Sequence, residues 1–258
     1  MTRAVLIAIC GLSVGLAGQS GPGAPDFRAA REEVAQTLSA LVKIDTSNPP
    51  GNETKAAAFI RQILDKEGIP SELFEGQPGR ANLVARLKGS GRRRPLLLMG
   101  HTDVVGVERD KWSFDPFGGT IKDGYVYGRG ASDDKGMTSA CLEAFLLLHR
   151  LKVPLDRDVI FLAEADEEAG GRAGIGFMVA QHWDKIESEF ALNEGGWIYQ
   201  KDGGVQYVGV ATTEKVPRGL RVTAKGRAAT DQCRASTTRS RTSPPRSARS
   251  AAGSRPCA

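Results

Sequence analysis

The sequence predicts an α/β fold in which helices flank a largely parallel sheet. Short apolar runs that end at turn residues alternate along the chain with segments of helical hydrophobic periodicity. The clearest run is Leu96–Met99, which ends at Gly100 and suggests a strand buried on both faces. The chain has 258 residues, of which 40% are hydrophobic and 25% charged, so it can bury a sizeable core in one or two domains.

The predicted elements follow one another in a regular order. Apolar residues at helical spacing predict helices over 26–41 and 54–67, the second ended by Gly68. Asp123-Gly124 is a hairpin signal. After the second helix we predict a strand over 82–87, the strand over 96–99, the hairpin, a helix over 134–150, a strand over 158–163, a helix over 174–182 and a strand over 190–193. A further strand-rich segment begins near Val208.

The N-terminal residues have the pattern of an export signal. Arg3 supplies a positive charge, the apolar stretch 4–16 is too short to span a bilayer, and small residues follow it. We therefore expect residues 1–18 to be a signal peptide and 19–26 a Gly/Pro/Ser linker. The protein would be exported, periplasmic or secreted, with no membrane partner after signal removal. A membrane anchor, or a lipoprotein through Cys10, is the alternative.

The positive charge of the chain is confined to one segment. Residues 228–258 contain six arginines and one acidic residue, which account for the whole net charge of +5. The remainder is formally neutral, so we predict no nucleic-acid partner for the fold. Four cysteines at these spacings do not make a disulfide framework. A nucleic-acid or membrane-surface binder that uses the arginine-rich tail is the alternative reading.

Acidic residues follow the predicted strands and glycine-rich turns. His101 and Asp103 lie two apart at the end of one strand and would share a face, at the sheet edge where α/β sites are built. Singly, the other acids could be a helix N-cap, a solvated turn and loop charge. Together they would repel one another unless cations were present, and mixed imidazole and carboxylate ligands suit zinc. The acids concerned are Asp133, Asp134, Asp166, Glu167, Glu168 and Glu194.

Five motifs follow one another along the chain, with a further pattern at 46–53. They are Gly-His-Thr-Asp-Val-Val at 100–105, Trp-Ser-Phe-Asp-Pro-Phe-Gly-Gly at 112–119, Tyr-Gly-Arg-Gly-Ala-Ser-Asp-Asp-Lys-Gly at 127–136, Asp-Glu-Glu at 166–168 and Asn-Glu-Gly-Gly at 193–196. Through these motifs the chain resembles peptidase family M20 over roughly residues 30–227, and the pattern at 46–53 fits the N-terminal pattern of that family. The family includes aminoacylases, glutamate-type carboxypeptidases, dipeptidases and succinyl-diaminopimelate desuccinylase. The resemblance implies a zinc-exopeptidase-like catalytic domain over 27–207. The start of a smaller α+β lid or dimerisation domain would follow over 208–227, and an intact parent would be a homodimer.

The resemblance also implies zinc as the cofactor, with two ions in an intact site, and a division of roles. The metal ligands would be His101 and Glu194 for one zinc, Glu168 for the other and Asp133 as the bridge between them. The catalytic residues would be Glu167, a general base that takes a proton from the attacking water and returns it to the leaving amine, and Asp103, which orients His101. The peptide bond between Asp133 and Asp134 is usually cis in this family.

The chain departs from the family after Arg227. The family's Ala-x-His-Gly-Ser-x-Pro motif and a later zinc-binding histidine are not found in the sequence. Residues 228–234 can be encoded so that a shifted frame reads Gly-His-Gly-Ser-Met-Pro. We therefore predict that residues 228–258 are a disordered tail produced by a frameshift. The coding DNA tests this, because it must encode the family motif in the shifted frame. The fold would then be incomplete, with at most one zinc held tightly, and the chain poorly soluble and inactive.

The sequence leaves the substrate open, because residues of the lid govern specificity in the family. A carboxypeptidase-like exopeptidase acting on peptides competes with an amidohydrolase acting on N-acyl amino acids. A metal-binding pseudoenzyme is the third possibility.

Overall fold

The computed structural model describes residues 24–196 and 198–213. The predicted signal peptide, the 228–258 tail and most of the predicted lid segment lie outside these residues. Within them, no helix is long and apolar enough to cross a membrane. The helices are α1 Phe27–Val42, α2 Glu53–Lys66, α3 Lys135–Arg150, α4 Ile175–Gln181 and α5 Trp183–Ile186. The strands are β1 Ser71–Gln77, β2 Arg80–Leu87, β3 Leu96–His101, β4 Thr120–Lys122, β5 Tyr125–Tyr127, β6 Val159–Glu164, β7 Phe190–Leu192, β8 Ile198–Lys201 and β9 Gly204–Val208.

Five strands form one mixed sheet in the order β1-β2-β6-β3-β7. The strands β6, β3 and β7 are parallel, whereas β1 pairs antiparallel with β2 and β2 antiparallel with β6. The prediction of an α/β fold with flanking helices is therefore confirmed, and its parallel part is the half of the sheet that contains β3. The antiparallel half arises because β1 and β2 form a hairpin that reverses the chain direction. We did not predict β1, since this edge strand is only half-buried and polar.

The helices cover both faces of the sheet, which explains the continuous apolar runs of β3 and β6. On one face Leu98, Phe161 and Ala163 pack in a cluster with residues of α1, α2 and α3. On the other face Leu97, Met99, Ile160 and Leu162 pack with Met178 of α4 and Ile186 of α5. Burial of each large aliphatic or aromatic side chain contributes about 1.5–3 kcal/mol, so this two-sided core fixes the strands whose ends carry the acids.

Lys135 fastens the start of α3 to the end of α1. Its side chain is fully buried, and Nζ donates to the carbonyl oxygens of Leu41 at 3.0 Å and Ile44 at 2.7 Å. Burial lowers the pKa of Lys135 to about 8. The ammonium group thus binds two carbonyls at the C-terminal end of α1, of which that of Leu41 also accepts from the N–H of Ile44 at 3.1 Å. This contact holds the turn before α3, where the peptide bond between Asp133 and Asp134 is cis, as predicted.

The remaining strands form two hairpins. β4 and β5 pair around Asp123 and Gly124, both at positive φ, which confirms the predicted hairpin. β8 and β9 pair antiparallel around Asp202 and Gly203, so the strand-rich segment begins ten residues before Val208. The described residues up to Ala211 belong to one compact unit.

Candidate metal centre

The site lies where parallel strands end together. β3 and β6 are in register, so His101 stands beside Glu164 at their carboxyl ends. The turn that carries Asp166, Glu167 and Glu168 leaves β6 at this point, and Glu194 follows β7, which is the parallel neighbour of β3 on its other side. The topology thus brings to one sheet edge acids that are up to 93 residues from His101 in the chain.

His101 is the centre of the cluster. Its side chain is 1% exposed, and Nε2 lies 2.9 Å from Oδ1 of Asp133, 3.7 Å from Oε2 of Glu194 and 3.8 Å from Oε2 of Glu167. Ligand atoms of His101, Asp133 and Glu194 all lie within 4.8 Å of one another. The structure therefore gathers three of the four predicted metal ligands around a common point.

Asp103 fixes the other side of the imidazole ring. His101 Nδ1 lies 2.9 Å from the backbone oxygen of Asp103 and 3.4 Å from its Oδ1. The same carboxylate accepts hydrogen bonds of 3.1 Å from the backbone N–H groups of Glu167 and Glu168. Asp103 thus contacts both the ring and the turn that carries the two glutamates, and its role in orienting His101 as a metal ligand stays a prediction.

The electrostatics of the cluster favour a cation. Burial of His101 disfavours the charged ring, but the hydrogen bond and charge of Asp103, with the charge of Glu194, outweigh it and raise its pKa to about 10. Burial likewise opposes ionisation of Asp103, yet hydrogen bonds with His101 and Asn48 hold the pKa of this carboxyl below its usual range. The acids therefore retain a proton on the ring unless another cation compensates their charge. One imidazole and two carboxylates are a donor set that fits zinc.

Glu168 lies outside the triad of His101, Asp133 and Glu194. It is on the same short turn as Glu167, and burial, together with the negative charge of Asp133, raises its pKa. The carboxylates of Asp133 and Glu168 therefore repel each other. The sequence analysis predicts that these two residues bind a second metal together. That pairing, and the general-base role of Glu167, stay predictions.

Three side chains that the sequence analysis did not single out, Asn48, Glu53 and Arg80, hold the 166–168 turn in place together with Asp166. Arg80 donates to both carboxylate oxygens of Glu53 and, at 2.9 Å, to Oδ1 of Asp166. Asn48 donates from Nδ2 to Asp103 at 2.7 Å and to Asp166 at 3.2 Å. Asp166 has a positive φ of 67°, and its Oδ2 accepts from the N–H of Ala173. The fitting pattern at 46–53 was the signal for Asn48 and Glu53, but Arg80 gave none.

Two further buried acids border the centre. Glu164 and Asp134 are each 2% exposed, and one carboxylate oxygen of each has no hydrogen-bond partner among the described residues. Burial raises the pKa of both to about 7. Gly100 makes room for Asp134, since a Cβ at this position would lie 2.7 Å from its Oδ2.

Comparison with known proteins agrees with this geometry. The sequence pattern of Peptidase family M20/M25/M40 matches residues 97–254, more than half of the chain. The chain belongs to this family. The matched range crosses residue 228, so the frameshift stays a prediction for the coding DNA to decide.

The names of the relatives state different substrates. The chain is 38% identical over 144 residues to an N-formyl-4-amino-5-aminomethyl-2-methylpyrimidine deformylase of Halalkalibacterium halodurans, which covers 54% of this chain and 34% of the relative. It is 34% identical over 192 residues to aminoacylase-1 of Sus scrofa, with 72% and 45% covered. The chain therefore spans less than half the length of these relatives.

Solved structures of the family share the fold. An M20 family metallo-carboxypeptidase from Sulfolobus solfataricus superposes with a TM-score of 0.56 at 27% identity, covering 63% of this chain and 37% of that one. Human carnosine dipeptidase 1 superposes with a TM-score of 0.53 at 26% identity, covering 66% and 40%. These likenesses support the mixed sheet flanked by helices.

Proposed function

We propose that this chain is part of a zinc-dependent hydrolase that cleaves amide or peptide bonds, and that it contains metal ligands and the general base. The observation that carries the proposal is the convergence of His101, Asp133 and Glu194 within 4.8 Å, with Glu167 3.8 Å from the same imidazole nitrogen. Membership of family M20, and relatives named as an aminoacylase and a deformylase, support hydrolysis of an amide. Zinc, when bound, would polarise the scissile carbonyl and ease deprotonation of a water molecule.

The residues of this chain divide the remaining work. His101, Asp133 and Glu194 would hold the metal, and Asp103 keeps the ring of His101 in position. The carboxylate of Glu167 is partly exposed, and its backbone N–H donates to the carboxylate of Asp103. Glu167 can therefore take a proton from water and return it to the leaving amine. Glu168, beside it, would bind a second metal with Asp133. Adjacent residues project differently, which allows one glutamate to bind metal and its neighbour to move a proton.

The proposed substrates are peptides with a free carboxyl end, or N-acyl amino acids. The aminoacylase relative covers the larger part of this chain, whereas the superposed structures are named as a carboxypeptidase and a dipeptidase. A metal-binding pseudoenzyme is the competing proposal, since only three ligand atoms converge on one point among the described residues. In either case the protein would be exported, with an intact parent acting as a homodimer.

Zinc titration and a hydrolysis assay test the proposal together. We expect the 258-residue chain to bind close to one zinc, to lose most of this affinity in His101→Ala, and to hydrolyse neither acetyl-amino acids nor dipeptides. A gene restored to the family's frame at codon 228 should hydrolyse one of these classes with zinc. Glu167→Gln should abolish turnover and keep the zinc, while Glu187→Gln on the surface should change neither. A zinc-loaded restored enzyme without any amide hydrolysis would favour the pseudoenzyme.

A further inference from the structure

Glu164 is a buried acid at the last position of β6. It is 2% exposed, and its Oε2 has no hydrogen-bond partner among the described residues. In the same part of the chain no lysine or arginine forms an ion pair with it. Glutamate is seldom fully buried unless it is paired, and a buried polar atom without a partner is rare in a folded protein. The position of Glu164 therefore calls for a functional explanation.

The strand register places Glu164 directly beside His101. The two residues pair across the parallel strands β6 and β3, so their side chains leave the same face of the sheet. The backbone oxygen of Glu164 accepts hydrogen bonds from the N–H of Thr102 at 2.9 Å and from its hydroxyl at 3.0 Å, which fixes the end of β6 against the residue that follows His101. The preceding positions on this face are apolar and belong to one cluster: Leu97, Met99, Ile160 and Leu162. Glu164 thus lies at the border between the apolar core and the candidate metal centre.

The charges that act on Glu164 are mostly negative. Burial raises the pKa of its carboxyl most, the ring of His101 lowers it, and the negative charges of Glu167, Asp103 and Glu194 raise it further. A cation bound beside His101 would offset this repulsion, and the carboxylate of Glu164 would in turn attract the cation. Water screens such an attraction little where the carboxylate is buried.

Glu164 stands apart from the residues that could ligate the ion. Within residues 24–196 and 198–213, the ligand atoms that converge within 4.8 Å are those of His101, Asp133 and Glu194. We propose that Glu164 strengthens the binding of a divalent cation at this centre through its buried charge, without binding the ion itself. This role rests on the metal centre proposed above, to which it adds a carboxylate that lies behind the ligands.

Zinc titration of the 258-residue chain tests the effect of this charge. Glu164→Gln keeps the size of the side chain and removes its charge, so the zinc dissociation constant should rise about 10- to 100-fold. Glu164→Asp keeps the charge and should restore a large part of the affinity. The matched control is Glu143→Gln, because Glu143 is 6% exposed, also has a carboxylate oxygen without a hydrogen-bond partner among the described residues, and lies near Arg150 at the far end of α3. This control should bind zinc as the parent does.

Cobalt(II) binding separates the effect of charge from ligation and from distortion of the centre. Glu164→Gln should weaken cobalt binding about as much as zinc binding, because attraction to a charge depends little on which divalent ion is bound. The visible absorption bands of the bound cobalt ion should keep their positions, since the ligands stay the same. Circular dichroism checks that each variant is folded.

The possible results distinguish this role of Glu164 from the metal centre itself. Equal zinc affinity in the parent and Glu164→Gln, with loss of the metal in His101→Ala, would overturn the role of Glu164 and leave the metal centre intact. Shifted cobalt bands, Glu164→Asp as weak as Glu164→Gln, or an equal loss of affinity in Glu143→Gln would also overturn it. A parent chain that binds no zinc would overturn both the role of Glu164 and the metal centre.

Discussion

The side-chain amide of Asn48 lies 2.7 Å from Oδ2 of Asp103, which it serves as a hydrogen-bond donor. Asp103 in turn contacts the ring of His101 and the backbone of Glu167 and Glu168. A residue 53 positions before His101 in the sequence thus lies behind the candidate metal centre. Removal of the Asn48 side chain should therefore weaken metal binding, although Asn48 acts through Asp103 and does not itself contact His101.

Replacement of Asn48 tests this relationship. Asn48→Ala removes a donor from the buried carboxylate of Asp103 and loosens its hold on His101. We expect the zinc dissociation constant to rise about 10- to 100-fold, the usual range for a residue that supports a metal ligand. Isothermal titration with zinc measures it, and Gln62→Ala on the exposed side of α2 is the control. An unchanged affinity in Asn48→Ala would show that Asp103 is held without it.

Arg80 should be essential for stability. Arg80→Met leaves Glu53 and Asp166, both buried, without their shared cation. We expect the free energy of unfolding to fall by about 3–5 kcal/mol, because a buried charge then lacks a partner. Denaturant unfolding measures the loss, and Arg93→Met in an exposed loop should stay within about 0.5 kcal/mol of the parent. The double variant R80M/E53Q should recover part of the loss; if it does not, charge burial is not the cause.

The link between Lys135 and α1 should also be measurable. Lys135→Met keeps the length of the side chain but removes the Nζ donor from the carbonyl of Ile44 and from that of Leu41, which keeps the N–H of Ile44. An unsatisfied buried carbonyl costs about 1–3 kcal/mol, so the variant should unfold at lower denaturant concentration. Lys66→Met at the end of α2 serves as the surface control. Equal midpoints for the two variants would mean that water or a shifted backbone satisfies these carbonyls.

Asp158 should make the stability depend on pH in the acid range. Burial opposes its ionisation, but hydrogen bonds from the N–H of Gly89 and the side chains of Lys88 and Arg86 outweigh it and lower its pKa. A carboxyl whose pKa is lower in the folded state stabilises the fold above its unfolded pKa, about 3.9, and loses that contribution as the pH falls through the folded value. Asp158→Asn should therefore be less stable than the parent at pH 7, and the difference should shrink below about pH 4. Urea unfolding at both pH values measures it, and a difference between Asp158→Asn and the parent that is the same at both pH values would contradict the prediction.

Much of the fold was accessible from local patterns. The helices α1, α2 and α3, the hairpin at 123–124 and the strands β3 and β6 begin and end within two residues of their predicted bounds. These elements have strong periodicity or are bounded by glycine. β1 was missed because an edge strand needs little apolar sequence, and the antiparallel half of the sheet was missed with it.

The candidate site likewise combines residues that a local sequence pattern identifies with residues that it does not. Repeated acids after strand ends, and motifs shared with family M20, were enough to single out His101, Asp133 and Glu194, which the structure brings within 4.8 Å. Arg80 carries no such signal, and the pattern at 46–53 that contains Asn48 does not reveal its role, because the two side chains act on partners that are 86 and 55 residues away. Such partners are set by sheet order and register rather than by neighbours in the chain.

Residue type and two-residue spacing are enough to place the imidazole of His101 and the carboxylate of Asp103 on the same side of the chain where β3 ends. Sheet order and register then settle which acids meet that imidazole and which side chains hold the 166–168 turn against repulsion. These outcomes depend on distances between segments far apart in the chain. These segments come close together only when the chain folds and the helices bury both faces of the sheet.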